Sequence, residues 1–428
     1  MGAYRGVGRP MAVFVMERLM DEAARKLGLS PLEIRLVNLV RPEEFPHRAP
    51  TGIQWDRSGF TETLETVVAR AEYDALVAAR DAARQAGRWV GIGLASYVEL
   101  TGLGSRIPVA PGITLNTGDV LGRVRLDATG AVTAAFGVAS QGQGHETALA
   151  QVVAEELGCR IADVDVLIGD SSLVAHSTGT FASRVAVLAG GAAMLAARAV
   201  RANLLQIAAH LLETGAEDLE VADSRVAVRG TDRGLGFREL AHVYYKEMGK
   251  VTREMRAEFP LEATRNFDPL TGTASSGCHL AMVEVDPVTC GVSILKYVMA
   301  EDGGRIINPM IAEGQAHGGM AQGLGAALFE EMRHDADGQI LSASFVDYCL
   351  PTAPEVPAME VAHVVTALPD NLTGFRGIGE GATIGAPAAI ANAVADALAG
   401  ALGDEAGMVT ELPLTPERIF RLLPARAQ

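Results

Sequence analysis

The run Arg376-Gly377-Ile378-Gly379-Glu380-Gly381-Ala382-Thr383-Ile384-Gly385-Ala386-Pro387 sets four glycines around one carboxylate, ahead of an alanine-rich stretch with helical character. Glycine admits positive φ and close backbone approach to a ligand, and the free amides of a following helix N-terminus favour negative charge. Such a loop suits an anionic guest. A carboxylate held rigidly in it could also take a proton from a metal-bound water or hydroxide, provided desolvation raised its pKa. The plainer alternative is a glutamate near a helix N-terminus, stabilised by the helix dipole. A dinucleotide-binding reading of Gly377-x-Gly379-x-x-Ala382 fits poorly, because the acidic residue belongs some 20 positions later. Asp396 follows Ala382 by only about 14 residues, within the same expected helix.

Three further clusters carry chemistry-bearing residues. Ser140-Gln141-Gly142-Gln143-Gly144-His145-Glu146-Thr147 stands between a strand-like and a helix-like segment. Glutamine offers both donor and acceptor to a heterocycle edge, and the glycines let backbone N–H groups approach phosphate. His145 is either a metal ligand or a polar residue in a helix's first turn. Gly179-Thr180-Phe181-Ala182-Ser183-Arg184 precedes a long apolar segment and offers hydroxyls and a guanidinium to a phosphate, with helix capping by Ser183 as the alternative. Asp302-Gly303-Gly304-Arg305-Ile306-Ile307-Asn308-Pro309 leads into a segment bearing Gln315, His317 and Gln322, and alone it reads as a turn.

The elements that must position these clusters are legible in the periodicity. Residues 10–87 read as helical, with a Ser30-Pro31-Leu32-Glu33 capping box. Strands are expected at 91–100, at 122–126 and 131–137 joined by a Thr-Gly turn, and at 219–228. A hairpin at 280–285 and 292–298 turns around Asp-Pro-Val-Thr-Cys-Gly. Helices are expected after Gly144 and at 185–212, 237–248, 309–329, 386–402 and 416–422. Strand pairs and helices without regular alternation predict an α+β fold, mixed sheets with packed helices. The stretch 260–276 lacks periodicity and is the expected boundary between residues 1–260 (a helical lead-in at 1–88, an α+β part at 89–260) and 261–428.

Composition excludes several function classes. A net charge of -16 repels nucleic acid phosphates and anionic lipid heads, and no basic stripe reverses it locally. The longest nearly uncharged run, 185–197, is too short for a membrane span of ~20 residues. The first residues show no export signal, and Cys159, Cys278, Cys290 and Cys349 are scattered without metal-site spacing. A cytoplasmic protein with reduced core thiols is expected.

In this order, Ala3-Tyr4-Arg5-Gly6-Val7-Gly8-Arg9-Pro10, Gln141 to His145, Gly179 to Arg184, Asp302 to Pro309 with Gln315 and Gln322, and Gly377 to Pro387 resemble the molybdopterin-binding large subunits of the xanthine oxidase family. That family includes aldehyde oxidoreductases, N-heterocycle hydroxylases and carbon monoxide dehydrogenases. The resemblance covers essentially the whole chain. It implies that Arg5, Gly6, Gln141, Gly142, Gln143, Gly144, His145, Thr180, Ser183, Arg184, Asn308, Gln315, Gln322, Arg376, Gly377, Ile378 and Gly379 surround molybdopterin cytosine dinucleotide. Molybdenum is then held by the pterin dithiolene, with no metal ligand from the protein. Glu380 falls on the active-site glutamate, which by resemblance deprotonates a Mo–OH group whose oxygen attacks an electron-poor carbon, of the aldehyde or N-heterocycle type, while hydride passes to a Mo=S sulfur.

The resemblance also sets expectations about what lies outside the chain. The [2Fe-2S] and FAD centres belong to an iron-sulfur subunit and a flavin subunit, because no Cys-x4-Cys-x2-Cys run occurs here. Family subunits carry roughly as much sequence again before the first motif, so an N-terminal half of the molybdenum subunit is an expected partner. Tyr4-Arg5 lacks the cysteine of copper-containing carbon monoxide dehydrogenases, and Gly303 replaces a cysteine common in relatives. Side chains that discriminate small-molecule substrates are expected partly at 103–115. An inactive or assembly-type remnant of the family and a nucleotide-dependent oxidoreductase are the competing readings.

Overall fold

The computed structural model describes residues 4–105, 118–174, 176–269, 272–368, 371–403 and 409–423, so most of the 103–115 loop lies outside the described residues. Helix α1 (Arg9–Leu27) carries Pro10 in its first turn, where the missing N–H would be unbonded in any case, and stops at Gly28 in the left-handed conformation. The expected capping box then opens α2 (Pro31–Asn38): Ser30 Oγ accepts the Glu33 N–H at 3.1 Å and the Glu33 carboxylate accepts the Ser30 N–H at 2.7 Å. A short pair, β1 (His47–Arg48) and β2 (Gln54–Trp55), interrupts the helical lead-in before α3 (Phe60–Ala71) and α4 (Tyr73–Gln85). Phe60, Leu64, Val67 and Ala71 recur at helical spacing, so α3 buries one stripe.

Next come β3 (Trp89–Thr101), β4 (Val120–Leu126), β5 (Val132–Phe136), α5 (His145–Leu157), β6 (Val164–Ile168) and α6 (Val185–Leu212). A small sheet of β7 (Leu219–Ala222), β8 (Arg225–Val228) and β9 (Gly234–Gly236) leads to α7 (Phe237–Lys246) and α8 (Arg253–Glu258). The order ends with β10 (Glu262–Phe267), β11 (Thr273–Val285), β12 (Val292–Asp302), α9 (Pro309–Leu328), β13 (Met359–Val364), α10 (Gly381–Leu402) and α11 (Pro416–Leu422). Two four-stranded mixed sheets result, β10-β4-β5-β6 and β13-β12-β11-β3, and each ends in one parallel edge strand. This is the expected α+β class.

Strand pairing divides the chain differently from the expected split near residue 260. β3 pairs along its whole length with β11, from Trp89↔Val285 to Thr101↔Thr273, while β10 joins β4 in the other sheet. Each half of the sequence thus lends a strand to the other half's sheet. β10 escaped detection because it is an edge strand exposing Thr264, Arg265 and Asn266, which gives no apolar alternation.

Helix α10 starts at Gly381 rather than 386, so Glu380 is its N-cap residue and Pro387 lies inside the helix. Proline favours the first turn, which is why the sequence placed the start later. α10 lies directly on β3: a Cβ at Gly91 or Gly93 would stand 2.1 Å from the carbonyl oxygen of Ala393 or Ala389. α6 covers β4 and β10 in the same way, with Val187, Leu188, Ala193, Val200 and Leu204 in one core. Both α6 and α10 are long and apolar enough to cross a membrane by length and composition, and both are mostly buried as the central helices of these layers.

A buried charge cluster anchors α1. The Arg35 guanidinium meets Glu17 Oε2 and Asp21 Oδ1, each at 2.8 Å, and donates to Leu94 O of β3 at 2.9 Å. Arg18 donates to Asn392 Oδ1 at 2.9 Å, and Asn392 donates to Leu94 O at 2.8 Å. These bonds bind α1 to β3 and α10 and so fix where the chain at Arg5 and Arg9 enters. Arg35→Leu would leave Glu17 and Asp21 buried without their counter-charge and should cost about 3–5 kcal/mol of stability in urea denaturation. A loss within the ~1 kcal/mol of a surface pair would show that the cluster is not structural.

Candidate functional site

Glu380 is held at three points. Its backbone N–H donates to Ser183 Oγ at 2.9 Å, its Oε1 accepts the Ala182 N–H at 3.0 Å, and its Oε2 accepts Arg9 Nη1 at 3.0 Å. Ala182 and Ser183 lie in the left-handed region, with φ of 50° and 49°, a conformation that costs non-glycine residues energy. That turn is what aims the Ala182 N–H at the carboxylate. Gly377 makes the approach possible, because a Cβ there would stand 1.8 Å from Ser183 O. The glycines at 377, 379, 381 and 385 do not have positive φ, contrary to the sequence expectation, and at 377 close packing is the reason for glycine.

A cavity of about 610 Å³ opens beside this carboxylate. Every expected site residue lines it except Gly6 and Gly144: Arg5, Gln141, Gly142, Gln143, His145, Thr180, Ser183, Arg184, Asn308, Gln315, Gln322, Arg376, Gly377, Ile378, Gly379 and Glu380. Gly6 is buried against the Pro10 ring, and Gly144 is the left-handed N-cap of α5 behind Ile311. Residues spread over most of the chain therefore meet on one concave surface.

Several of these side chains are already engaged. Arg5 donates from Nε to Gly379 O at 2.6 Å and from its two other nitrogens to Gln322 Oε1 at 3.3 Å and Gln315 O at 3.0 Å, clamping the glycine loop to α9. Arg184 is fully buried and donates to the carbonyls of Gly179 and Gly118 at 2.8 and 2.9 Å. Burial pushes its guanidinium down to about 10. Its function here is to fold the loop, rather than to present a free cation to phosphate. Arg376 likewise turns inward, to Asp302, Asp56, Thr366 and the carbonyls of Ala274 and Arg57. Asn308 caps α9 by accepting the Ile311 N–H at 3.1 Å and donates to Gln151. Ser183 is not the cap of α6, because its hydroxyl receives Glu380, and Thr180 bonds the backbone of Ala139.

What remains open to a guest is mostly neutral. Gln141 and Gln143 bond each other at the rim, Gln143 Nε2 donating to Gln141 Oε1 at 2.9 Å. His145, the first residue of α5, has Nδ1 buried, with the Ala139 backbone as its weak protein partner. Burial holds its ring below the usual imidazole range. Among the described residues no three His, Cys, Asp or Glu side chains stand together to hold a metal ion.

Sequence reasoning missed Arg9, which sits in the first quoted motif and carries the ion pair to Glu380. It also missed Glu99, fully buried at the end of β3 with Oε1 3.7 Å from Arg9 Nη1. The available signal was a charged residue in the otherwise apolar run of β3.

Two models of the molybdopterin cofactor-binding domain match the chain, one over residues 66–357 and one over residues 1–39. The chain is 39% identical over 422 residues to the nicotine 6-hydroxylase large subunit of Paenarthrobacter nicotinovorans, covering 98% of this chain and 51% of that protein. It is 34% identical over 384 residues to the carbon monoxide dehydrogenase large chain of Hydrogenophaga pseudoflava, covering 87% and 46%. The crystal structure of quinoline 2-oxidoreductase from Pseudomonas putida 86 superimposes with a TM-score of 0.89 at 38% identity, over 98% of this chain and 53% of that one. The chain spans about half the length of the curated relatives it matches.

The Glu99 carboxyl gives this region a pH dependence. Burial, with Glu380 alongside, pushes it up to about 8 against the usual 4.5, while Arg9 acts in the opposite direction. Between those values the folded chain keeps a proton that the unfolded chain releases, so this group's contribution to stability falls as pH rises from about 4.5 to about 8. Glu99→Gln, neutral throughout, should remove that slope and exceed the parent in stability above about pH 8. Identical pH–stability curves from denaturation of parent and variant would contradict this.

Proposed function

The chain belongs to the family of molybdopterin-binding large subunits that includes xanthine dehydrogenases and carbon monoxide dehydrogenases, and we propose that it supplies the Glu380 side of a molybdopterin cytosine dinucleotide site. The site hydroxylates an electron-poor carbon of the aldehyde or N-heterocycle type, with water as the oxygen source. The observation that carries this reading is the convergence of the separate motifs on one cavity beside a carboxylate pinned by Arg9 and Ala182.

The residues present fit such a cofactor. The amides of Gln141, Gln143, Gln315 and Gln322 offer donors and acceptors to a pterin edge, and the His145 ring lines the same cavity. Backbone N–H groups of the Gln141 loop and of the α5 N-terminus suit the phosphates. Molybdenum would enter held by the pterin dithiolene, with these residues around it. When bound, the cofactor supplies the two-electron oxidation.

The chain's own part is positioning and proton transfer. Glu380 accepts a proton at its carboxylate, Arg9 and the Ala182 N–H keep that carboxylate in one orientation, and Arg5 holds the loop beneath it. An N-terminal half of the molybdenum subunit completes the site, and iron-sulfur and flavin subunits, in the cytoplasm, remove the electrons.

In the complex assembled with those partners, Glu380→Gln should lower turnover of quinoline or benzaldehyde by about 10²- to 10⁴-fold while molybdenum and cytidine nucleotide content stay normal. Wild-type rates in that variant would refute the base. A parent complex that assembles without metal would favour an inactive remnant of the family.

A further inference from the structure

Four residues stand side by side across the second sheet. Tyr97 of β3 is opposite Gly277 of β11, Gly277 is opposite Glu301 of β12, and Glu301 is opposite His363 of β13. Residues in such a row share one face of the sheet. Gly277 leaves its place in the row empty, and the Tyr97 ring lies over it: a Cβ on Gly277 would stand 2.5 Å from the tyrosine hydroxyl. A Cβ on Gly381, the neighbour of Glu380, would stand 2.5 Å from the same hydroxyl. Tyr97 therefore reaches from the row to the start of α10. Glu99 lies two residues further along β3, on the same face and beside Arg9.

This row is polar where a sheet face should be apolar. The Tyr97 hydroxyl is buried without a hydrogen bond, and the buried oxygens of Glu99 and Glu301 and ring nitrogens of His363 have only long or poorly aligned partners: Ser183 and Glu380 for Glu99, and each other for Glu301 and His363. Buried polar groups are seldom left so, and a contiguous set of them calls for a function. His363 Nδ1 is 3.4 Å from Glu301 Oε1, and the His363 side chain keeps 17% of its surface exposed against 1% for Glu301. The row thus runs from beside the candidate site to the sheet's edge strand, where the His363 side chain is partly exposed while both its ring nitrogens are covered.

We propose that Glu99, Tyr97, Glu301 and His363 form a proton path that carries the proton accepted by Glu380 across the sheet to His363 on its edge strand. The path rests on the reading of Glu380 as the base. One proton moves at each hop and no electrons move: the Glu99 carboxyl gains the Glu380 proton as it gives up its own, the Tyr97 hydroxyl does the same, and the proton passes to Glu301, to His363 and, through water reaching its covered ring nitrogens, to bulk. Bridging water serves wherever a gap exceeds a direct hydrogen bond.

The surrounding charges support this direction of travel. Arg5 faces Glu380, Glu301 and Glu99 together and stabilises negative charge on all three. Asp302 is beside Glu301, and the exposed Glu313 of α9 is beside His363. Cys278, Tyr297 and His279 also neighbour Tyr97. Burial holds the His279 ring down to about 3, so it stays neutral and offers no side exit. The hydrogen-bonding partner Glu301 raises His363 above the usual imidazole range, which keeps the outlet able to hold a proton near neutrality.

Two measurements decide the matter. In the full chain without cofactor, nitrogen-15 NMR of the His363 ring should show it titrating above the usual range, and Glu301→Gln should bring it back down. An unmoved His363 titration would overturn the path at its outlet. In the assembled enzyme oxidising quinoline or benzaldehyde, Glu301→Gln and His363→Ala should each lower kcat about tenfold with KM unchanged, raise the solvent isotope effect and shift the pH profile. Added imidazole should restore His363→Ala, which a purely structural loss would not allow. His363 lies on the edge strand and is partly exposed, so its variant keeps the test available if Glu301→Gln fails to fold. Wild-type kcat and isotope effect in both variants, with Glu380→Gln inactive, would overturn the path alone. Wild-type rates in Glu380→Gln would instead overturn the base on which the path rests.

Discussion

The junction of Glu380 with Ala182 and Ser183 is the contact on which the site depends. It joins a loop that precedes α6, over the first sheet, to a loop that precedes α10, over the second. Two non-glycine residues in the left-handed region turn an N–H toward the carboxylate, and a glycine at 377 lets the second loop lie flat against them. Such strain persists only where surrounding structure over-determines it. Here the surroundings are the two long helices, each pressed onto its sheet by small residues, and the arginines that tie the loops to neighbouring carbonyls.

Arginine serves the site mainly as internal scaffolding. Arg5, Arg184 and Arg376 all line the cavity, yet each guanidinium is committed to carbonyls or carboxylates within the chain. That arrangement leaves amides and backbone groups facing the guest, a surface suited to a polar heterocycle more than to a bare anion. It also explains why α1, far from the glycine loop in sequence, matters to it. The cluster of Arg35, Glu17 and Asp21 fixes the helix whose first residue, Arg9, holds Glu380.

Much of this was legible in the sequence. The capping box at Ser30, the hairpin around Asp286, the long helix from Val185 and the motifs that meet at the cavity all follow from local pattern, because caps, turns and periodicity act over a few residues. Cross-strand register does not. Nothing local tells that Tyr97, Gly277, Glu301 and His363 form a row, or that β3 belongs with β11 and not with β4. Glu99 and Glu301 read as ordinary strand-end charges until the pairing places both inside. The early start of α10 was hidden for a related reason: glycines and a proline signal a loop by propensity, and packing against Tyr97 and His279 overrides them.

The central claim is that the cavity beside Glu380 holds the pterin cofactor and points this carboxylate at its metal. A crystal structure of the assembled complex tests it most directly. Density for the pterin dinucleotide is expected between the Gln141 loop and residues 376–380, with a Glu380 oxygen facing the molybdenum and Arg9 still bonded to the other. Cofactor density elsewhere, or a Glu380 side chain turned away from the metal, would contradict it.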